Sequence, residues 1–231
     1  MRALLILIVV LAIALVVGDR VGVVLAQNEI GRKIAAEYNL ARQPDVEIGG
    51  FPFLTQAVDG TYHEIDIRIG DWNGHDISVH HLDIALTDVA APLRDVIDNR
   101  TSNLVAATAT ATAVVPYDVV QRYAPSGVES IANSPEGLRA TGTFSVAGLS
   151  VPATVIITVA PTEAGIQITP VSVRAAAGGP TISLALLRQS LTFVVPLQEL
   201  PLGARVTAIQ PGDDGLRATA VAHDVRLDSL P

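Results

Sequence analysis

Pro44-Asp45-Val46-Glu47-Ile48-Gly49-Gly50-Phe51-Pro52-Phe53-Leu54-Thr55-Gln56 marks the point where the chain stops reading as helix and starts reading as strand. It sets two of the chain's four phenylalanines on either side of one proline, directly after two glycines. An extended backbone puts Phe51 and Phe53 on one face. Pro52 has no N–H for a ladder, so it belongs at an edge or a strand start. Gly49-Gly50 supplies the backbone freedom for a sharp bend. The expectation is a rigid aromatic corner leading into a strand. Two readings of that corner stand: a turn that plugs a core, or an apolar contact with a ligand or a bilayer. Its position just after a membrane-type N-terminus favours the second.

Upstream, Met1-Arg2 precedes an apolar run from Ala3 to Val17; Gly18-Asp19-Arg20 interrupts it, and Val21 to Ala26 resumes it. A bilayer core takes about 20 apolar residues in a helix. The uninterrupted run is shorter and matches the apolar region of a signal peptide. Residues 1–26 therefore read as a signal peptide or a membrane anchor. Asp19 and Arg20, which sit better at an interface than inside a signal peptide, favour the anchor. Either route exports the remainder. From Val21 to Tyr38 the apolar residues Val21, Val24, Leu25, Ile30, Ile34, Ala35 and Tyr38 fall near one helical face. Glu29, Arg32, Lys33 and Glu37 fall on the other. This is an amphipathic helix able to continue the membrane segment, closed by Asn39 and Pro44.

Downstream the chain reads as strands. Ile65, Ile67 and Ile69 alternate with Asp66, Arg68 and Gly70, a period of two. Ile77 to Leu86 is a second strand, with a phase change at His80-His81 that predicts a bulge. Leu104–Val115, Phe144–Val159 (broken at Gly148 and Pro152), Ile166–Val173, Leu191–Val195, Arg205–Ile209 and Leu216–Leu227 complete the strands. Short helical pieces are expected at Pro92–Arg100, Tyr117–Tyr123 and Leu197–Leu200. Pro135–Thr141 and Gly212–Thr219 echo each other, with Pro161–Ile166 a looser copy; each is a turn whose glycine launches a strand. That pattern predicts antiparallel meanders joined by tight turns. Residues 27–231 are enough for a single domain with its own core.

The strands are long, and their apolar positions are often Ala, Val or Thr rather than bulky residues. Two packings fit: a thin sheet covered by the Val21–Tyr38 helix, or a concave wall facing a flexible apolar ligand. The net charge of −8 argues against nucleic acid, whose phosphates require clustered Lys and Arg. It also makes any membrane contact apolar rather than electrostatic. The absence of cysteine excludes disulfides, zinc–thiolate sites and thiol nucleophiles. His75, His81 and Asp83 share a strand face but lie too far apart for a closed metal site. No G-x-S-x-G elbow, converging carboxylate pair or phosphate-binding glycine loop is present, so no enzyme, metal or cofactor is expected.

Asp19-Arg20-Val21, the helix after it, Pro44-Asp45-Val46 and Gly50-Phe51-Pro52-Phe53-Leu54 with Gln56 together resemble the LmeA-like phospholipid-binding proteins of the actinobacterial envelope. So do Val195-Pro196-Leu197, Leu200-Pro201-Leu202-Gly203, Gly215-Leu216 and the closing Val225-Arg226-Leu227. The resemblance implies an α+β fold in which a long curved antiparallel sheet packs on an N-terminal amphipathic helix, like tubular lipid-binding domains. It implies non-enzymatic binding or transfer of phospholipid through an apolar groove in the cell envelope. The partners would be phospholipid, a membrane and envelope biosynthesis proteins. On this reading Phe51, Pro52, Phe53 and Leu54 form the groove mouth or bilayer contact. Ile65, Ile67 and Ile69 form the wall, and Val21, Leu25, Ile30 and Ile34 form the helix face beneath the sheet. An envelope scaffold with a solid core and no lipid ligand is the alternative.

Overall fold

The computed structural model describes residues 2–73, 78–92, 94–95, 104–122, 124, 126–146, 149–162, 165–175, 193–195 and 201–226. The fold is α+β, with one long helix and two antiparallel sheets. Helix α1 (Arg2–Glu37) is continuous from the apolar run through the amphipathic segment, so neither Gly18-Asp19-Arg20 nor Asn28 breaks it. At 36 residues it is about 54 Å long, and it is apolar enough to cross a bilayer. Asn39, at φ 49°, ends it.

The expected single sheet is divided in two. The first contains β1 (Asp45–Ile48), β2 (Thr61–Asn73), β3 (Ser78–Ala90), β4 (Val105–Pro116), β10 (Arg205–Pro211) and β11 (Gly215–Arg226), in the order β1-β2-β3-β4-β11-β10. The second contains β5 (Val128–Ser134), β6 (Gly137–Val146), β7 (Leu149–Thr162), β8 (Gly165–Ala175) and β9 (Phe193–Val195), in sequence order. A short helix α3 (Tyr117–Arg122) joins them. The Tyr117 hydroxyl donates to the Gly212 carbonyl at 2.7 Å, and Asn133 reaches Asp213 at 3.2 Å, tying the second sheet to the β10–β11 turn.

Several sequence expectations hold in detail. Gly137, Gly165 and Gly215 each open a strand. His81 adopts φ 51°, and the β3–β4 register shifts between His80 and Asp83, which is the expected bulge. Other expectations need correction. Phe144–Val159 is not one interrupted strand but parts of β6 and β7, paired in a hairpin. Pro152 lies inside β7 opposite Thr143, and among the described residues β8 pairs with β7 only from Ala153 onward, so no described partner needs a Pro152 N–H. The Leu197–Leu200 turn, and most of Pro92–Arg100, lie outside the described residues.

The core of the first sheet lies between one of its faces, the C-terminal half of α1 and a short helix α2 (Phe53–Asp59). Burial patterns in four adjacent strands change phase at one level. Tyr62 and Ile65, Leu86 and Val89, Ala106 and Ala109, and Ala222 and Val225 all join the same core although each pair is three residues apart. The two strands that flank β4 make the change through aspartates in the left-handed region, Asp88 (φ 48°) and Asp224 (φ 51°). Asp tolerates that region better than most residues. The result is a crease across the sheet that turns both halves toward one core.

Candidate functional site: an alanine-floored apolar face beside a clamped corner

The corner is built differently from the expected strand. Pro52 is the N-cap of α2, extended at φ −75° and ψ 142°, and the Phe51–Pro52 peptide is cis. The chain therefore enters a helix at Phe53, and the two rings part. Phe53 is buried in the core against Tyr62, with ring centroids 6.2 Å apart, whereas Phe51 is exposed. Two residues share a face only while the backbone stays extended, and here it does not. α2 ends at Gly60, in the left-handed conformation, whose N–H returns to the Gln56 carbonyl.

Buried Gln56 fixes α2 to the strands. Its Nε2 donates to the Gly49 carbonyl at 3.0 Å, and its Oε1 accepts the His63 N–H at 3.1 Å. From the other side, the carboxylate of buried Asp19 on α1 accepts the Leu54 N–H at 2.7 Å. A side chain from one helix thus caps the next.

The helix face beneath the sheet also differs. Val21 and Leu25 are exposed, and the inward residues are Val23, Ala26, Ile30 and Ile34. The three- and four-residue steps from Asp19 through Val23, Ala26 and Ile30 to Ile34 trace that inner face. Val21 is two residues before Val23, so it points away from the sheet. Ile30 and Ile34 stand where they were expected.

Ile65 and Ile67 are buried and Ile69 half-buried, all on the core face of β2. Strand register extends their rows across the sheet. Ile67 stands opposite Ile84, Ile84 opposite Ala111, Ala111 opposite Ala220, and Ala220 opposite Val206. Beside this row lie Ala109 opposite Ala222 and Ala113 opposite Ala218, with Ile209 beyond Ala218. A register shift between Val206 and Ala208 lets both Val206 and Ile209 share this face. Six alanines therefore floor the face between an isoleucine flank on β2 and β3 and a Val206–Ile209 flank on β10. The flanking backbones are about 14 Å apart, three strand spacings. Ile84, Ala111, Ala113, Ala218, Ala220, Val206 and Ile209 are only half-buried, so this part of the face is not fully packed. The opposite face of the same strands is polar, with Thr108, Thr110 and Thr112 in register with His223, Val221 and Thr219.

A depression of about 540 Å³ lies on the second sheet, and Glu129, Glu136, Arg139 and Arg174 are among its lining residues. Four ionisable side chains suit water and polar groups, and an acyl chain there would strip their hydration. The alanine floor is the better match to an apolar ligand. Its alternation is legible in Ala106–Ala113, but the partnership with β11 requires the register. Among the described residues no cluster of His, Asp or Glu has metal-binding geometry. His80 is occupied by Asp71 at 2.7 Å.

Comparison with curated proteins and with solved structures returns no match. The model of the LmeA-like phospholipid-binding family matches residues 17–221. That span runs from the Asp19 clamp through the corner and both sheets to Val221 in β11. The chain belongs to the LmeA-like phospholipid-binding family.

Proposed function

We propose that the chain binds phospholipid without catalysis by laying acyl chains along the alanine floor of the first sheet. The reading further places it in the cell envelope, tethered by α1, where it supports lipid or lipoglycan maintenance. The observation that carries the groove is the half-open row Ile84–Ala111–Ala220–Val206, apolar in every strand and bounded by larger side chains. Each methylene buried there contributes about 0.8 kcal/mol, so a segment of acyl chain suffices for tight binding. Ile67 and Ile69 form the flank, while Ile65, Phe53, Ile30 and Ile34 support it from the core. Phe51, Pro52, Leu54, Val21 and Leu25 face outward, away from the groove, as a bilayer contact.

The test is photo-crosslinking of the full-length chain with a phospholipid carrying a diazirine in its acyl tail, followed by peptide mapping. Crosslinks on Val105–Pro116 and Gly215–Arg226 are expected. Crosslinks confined to α1 would refute the groove, because any membrane helix collects those. A chain that takes up no lipid beyond α1 would instead support the solid-core scaffold.

A further inference from the structure

The structure shows what satisfies the charged pair that interrupts the apolar run of α1. The Asp19 carboxylate is buried, pairs with Arg20 at 2.5 Å and caps Leu54 at 2.7 Å. The Arg20 guanidinium carbon lies 5.0 Å from the centroid of the Phe51 ring. The two helices meet at Gly22, where a Cβ would stand 3.6 Å from the Phe53 and Leu54 side chains, an ordinary contact distance. α2 therefore lies against α1 at the level of residues 19–22.

That level has a meaning for a membrane helix. Twenty residues counted from Ala3 end at Gly22, and at 1.5 Å each they span about 30 Å, the thickness of a bilayer core. α2 thus sits where α1 leaves the hydrocarbon. α2 and the residue before its cap present three apolar side chains outward, with Phe51 63 %, Leu54 42 % and Val58 78 % exposed. Leu54 and Val58, four residues apart, share one side of α2, and Phe51 is exposed just before its cap. Val17, Val21 and Leu25 of α1 are exposed beside the same level.

We infer that α1 is retained on the mature chain and that α2 is an interfacial foot, its Phe51–Leu54–Val58 face lying in the surface of the bilayer that α1 spans. The inference rests on reading α1 as a membrane span and is independent of the alanine floor. Cutting before Gln27 would remove the cap on α2 and take Val23 and Ala26 from the core. Asp19 is tolerable at that depth because Arg20 and the Leu54 N–H satisfy its charge. An apolar helix face at the headgroup boundary gains the burial it lacks in water.

The chain has no cysteine, so a single introduced thiol reports one place. Val58→Cys and, on the second sheet, exposed Ala160→Cys are each labelled with a polarity-sensitive dye in the full chain and reconstituted into phosphatidylcholine nanodiscs. The expected result is quenching of the Val58 probe by lipid doxyl groups near the headgroups. Its quenching by aqueous iodide should be several-fold weaker than that of the Ala160 probe. Equal iodide quenching at both sites overturns the foot. N-terminal sequencing of the chain recovered from membranes of a bacterial host tests retention: a start at Met1 or Arg2 is expected, and a start near Gln27 overturns it. Neither readout depends on lipid in the sheet, so failure here leaves the crosslinking result to stand or fall separately.

Discussion

Replacing Ala111 or Ala220 by leucine should block the floor without disturbing the core. The two residues face each other across β4 and β11, and both are half-buried. Leucine adds three carbons, which occupy the space of about three methylenes of bound acyl chain. At about 0.8 kcal/mol per methylene the loss is about 2.4 kcal/mol, or about 50-fold in affinity. The control is Thr110→Leu, which adds apolar bulk to the same strand on its polar face and should leave binding unchanged. Affinity is read from the crosslink yield on β4 and β11 as the diazirine phospholipid is titrated into the full chain in maltoside micelles. Urea unfolding followed by Trp72, the sole tryptophan, checks that each variant remains folded. If Ala111→Leu and Thr110→Leu bind lipid equally well while folded, the acyl chain does not lie on this face.

Two further outcomes concern stability. Gln56→Leu removes the partners of the Gly49 carbonyl and the His63 N–H together, and should destabilise the fold by about 2–4 kcal/mol in urea unfolding; a loss below about 0.5 kcal/mol, the scale of a neutral surface change, would remove Gln56 as a structural bridge. Burial raises the Tyr62 pKa above its ordinary 10.0. The folded chain therefore keeps a proton that the unfolded chain loses, so this stability is full below about pH 10 and declines as pH rises through the folded value. Tyr62→Phe should flatten that alkaline decline, and an unchanged pH profile would contradict it.

The sequence made some of this visible and concealed the rest for physical reasons. Strand periodicity is local, so Ile65, Ile67 and Ile69 marked β2 and its inner face, and His80-His81 marked the bulge. Turn chemistry is local too, and Gly137, Gly165 and Gly215 announced the strands they open. Partition into two sheets is not local. It depends on β11 pairing with β4, where Thr112 and Thr219 meet across 107 residues of chain. The alanine floor was hidden for the same reason, since half of it belongs to each strand. Helix periodicity located an amphipathic face near Val21–Tyr38 but rotated it, because Asp19 and Gly22 belong inside only once α2 is in place. The corner misled because extended backbone was assumed through Pro52, where a helix begins.

The placement of β11 between β4 and β10 bears on how the protein is made. β4 is synthesised about 100 residues before the strand that completes its ladder, so until that strand emerges its outer hydrogen-bonding edge lacks its native partner. An exposed edge invites pairing with other chains, and the alternating Ala and Thr of β4 carry no charge to discourage it. The same arrangement delays the alanine-floored face: half of it exists only after Gly215–Arg226 has docked. On the proposed reading a nascent chain has no groove to load, and ligand acquisition would mark completed folding.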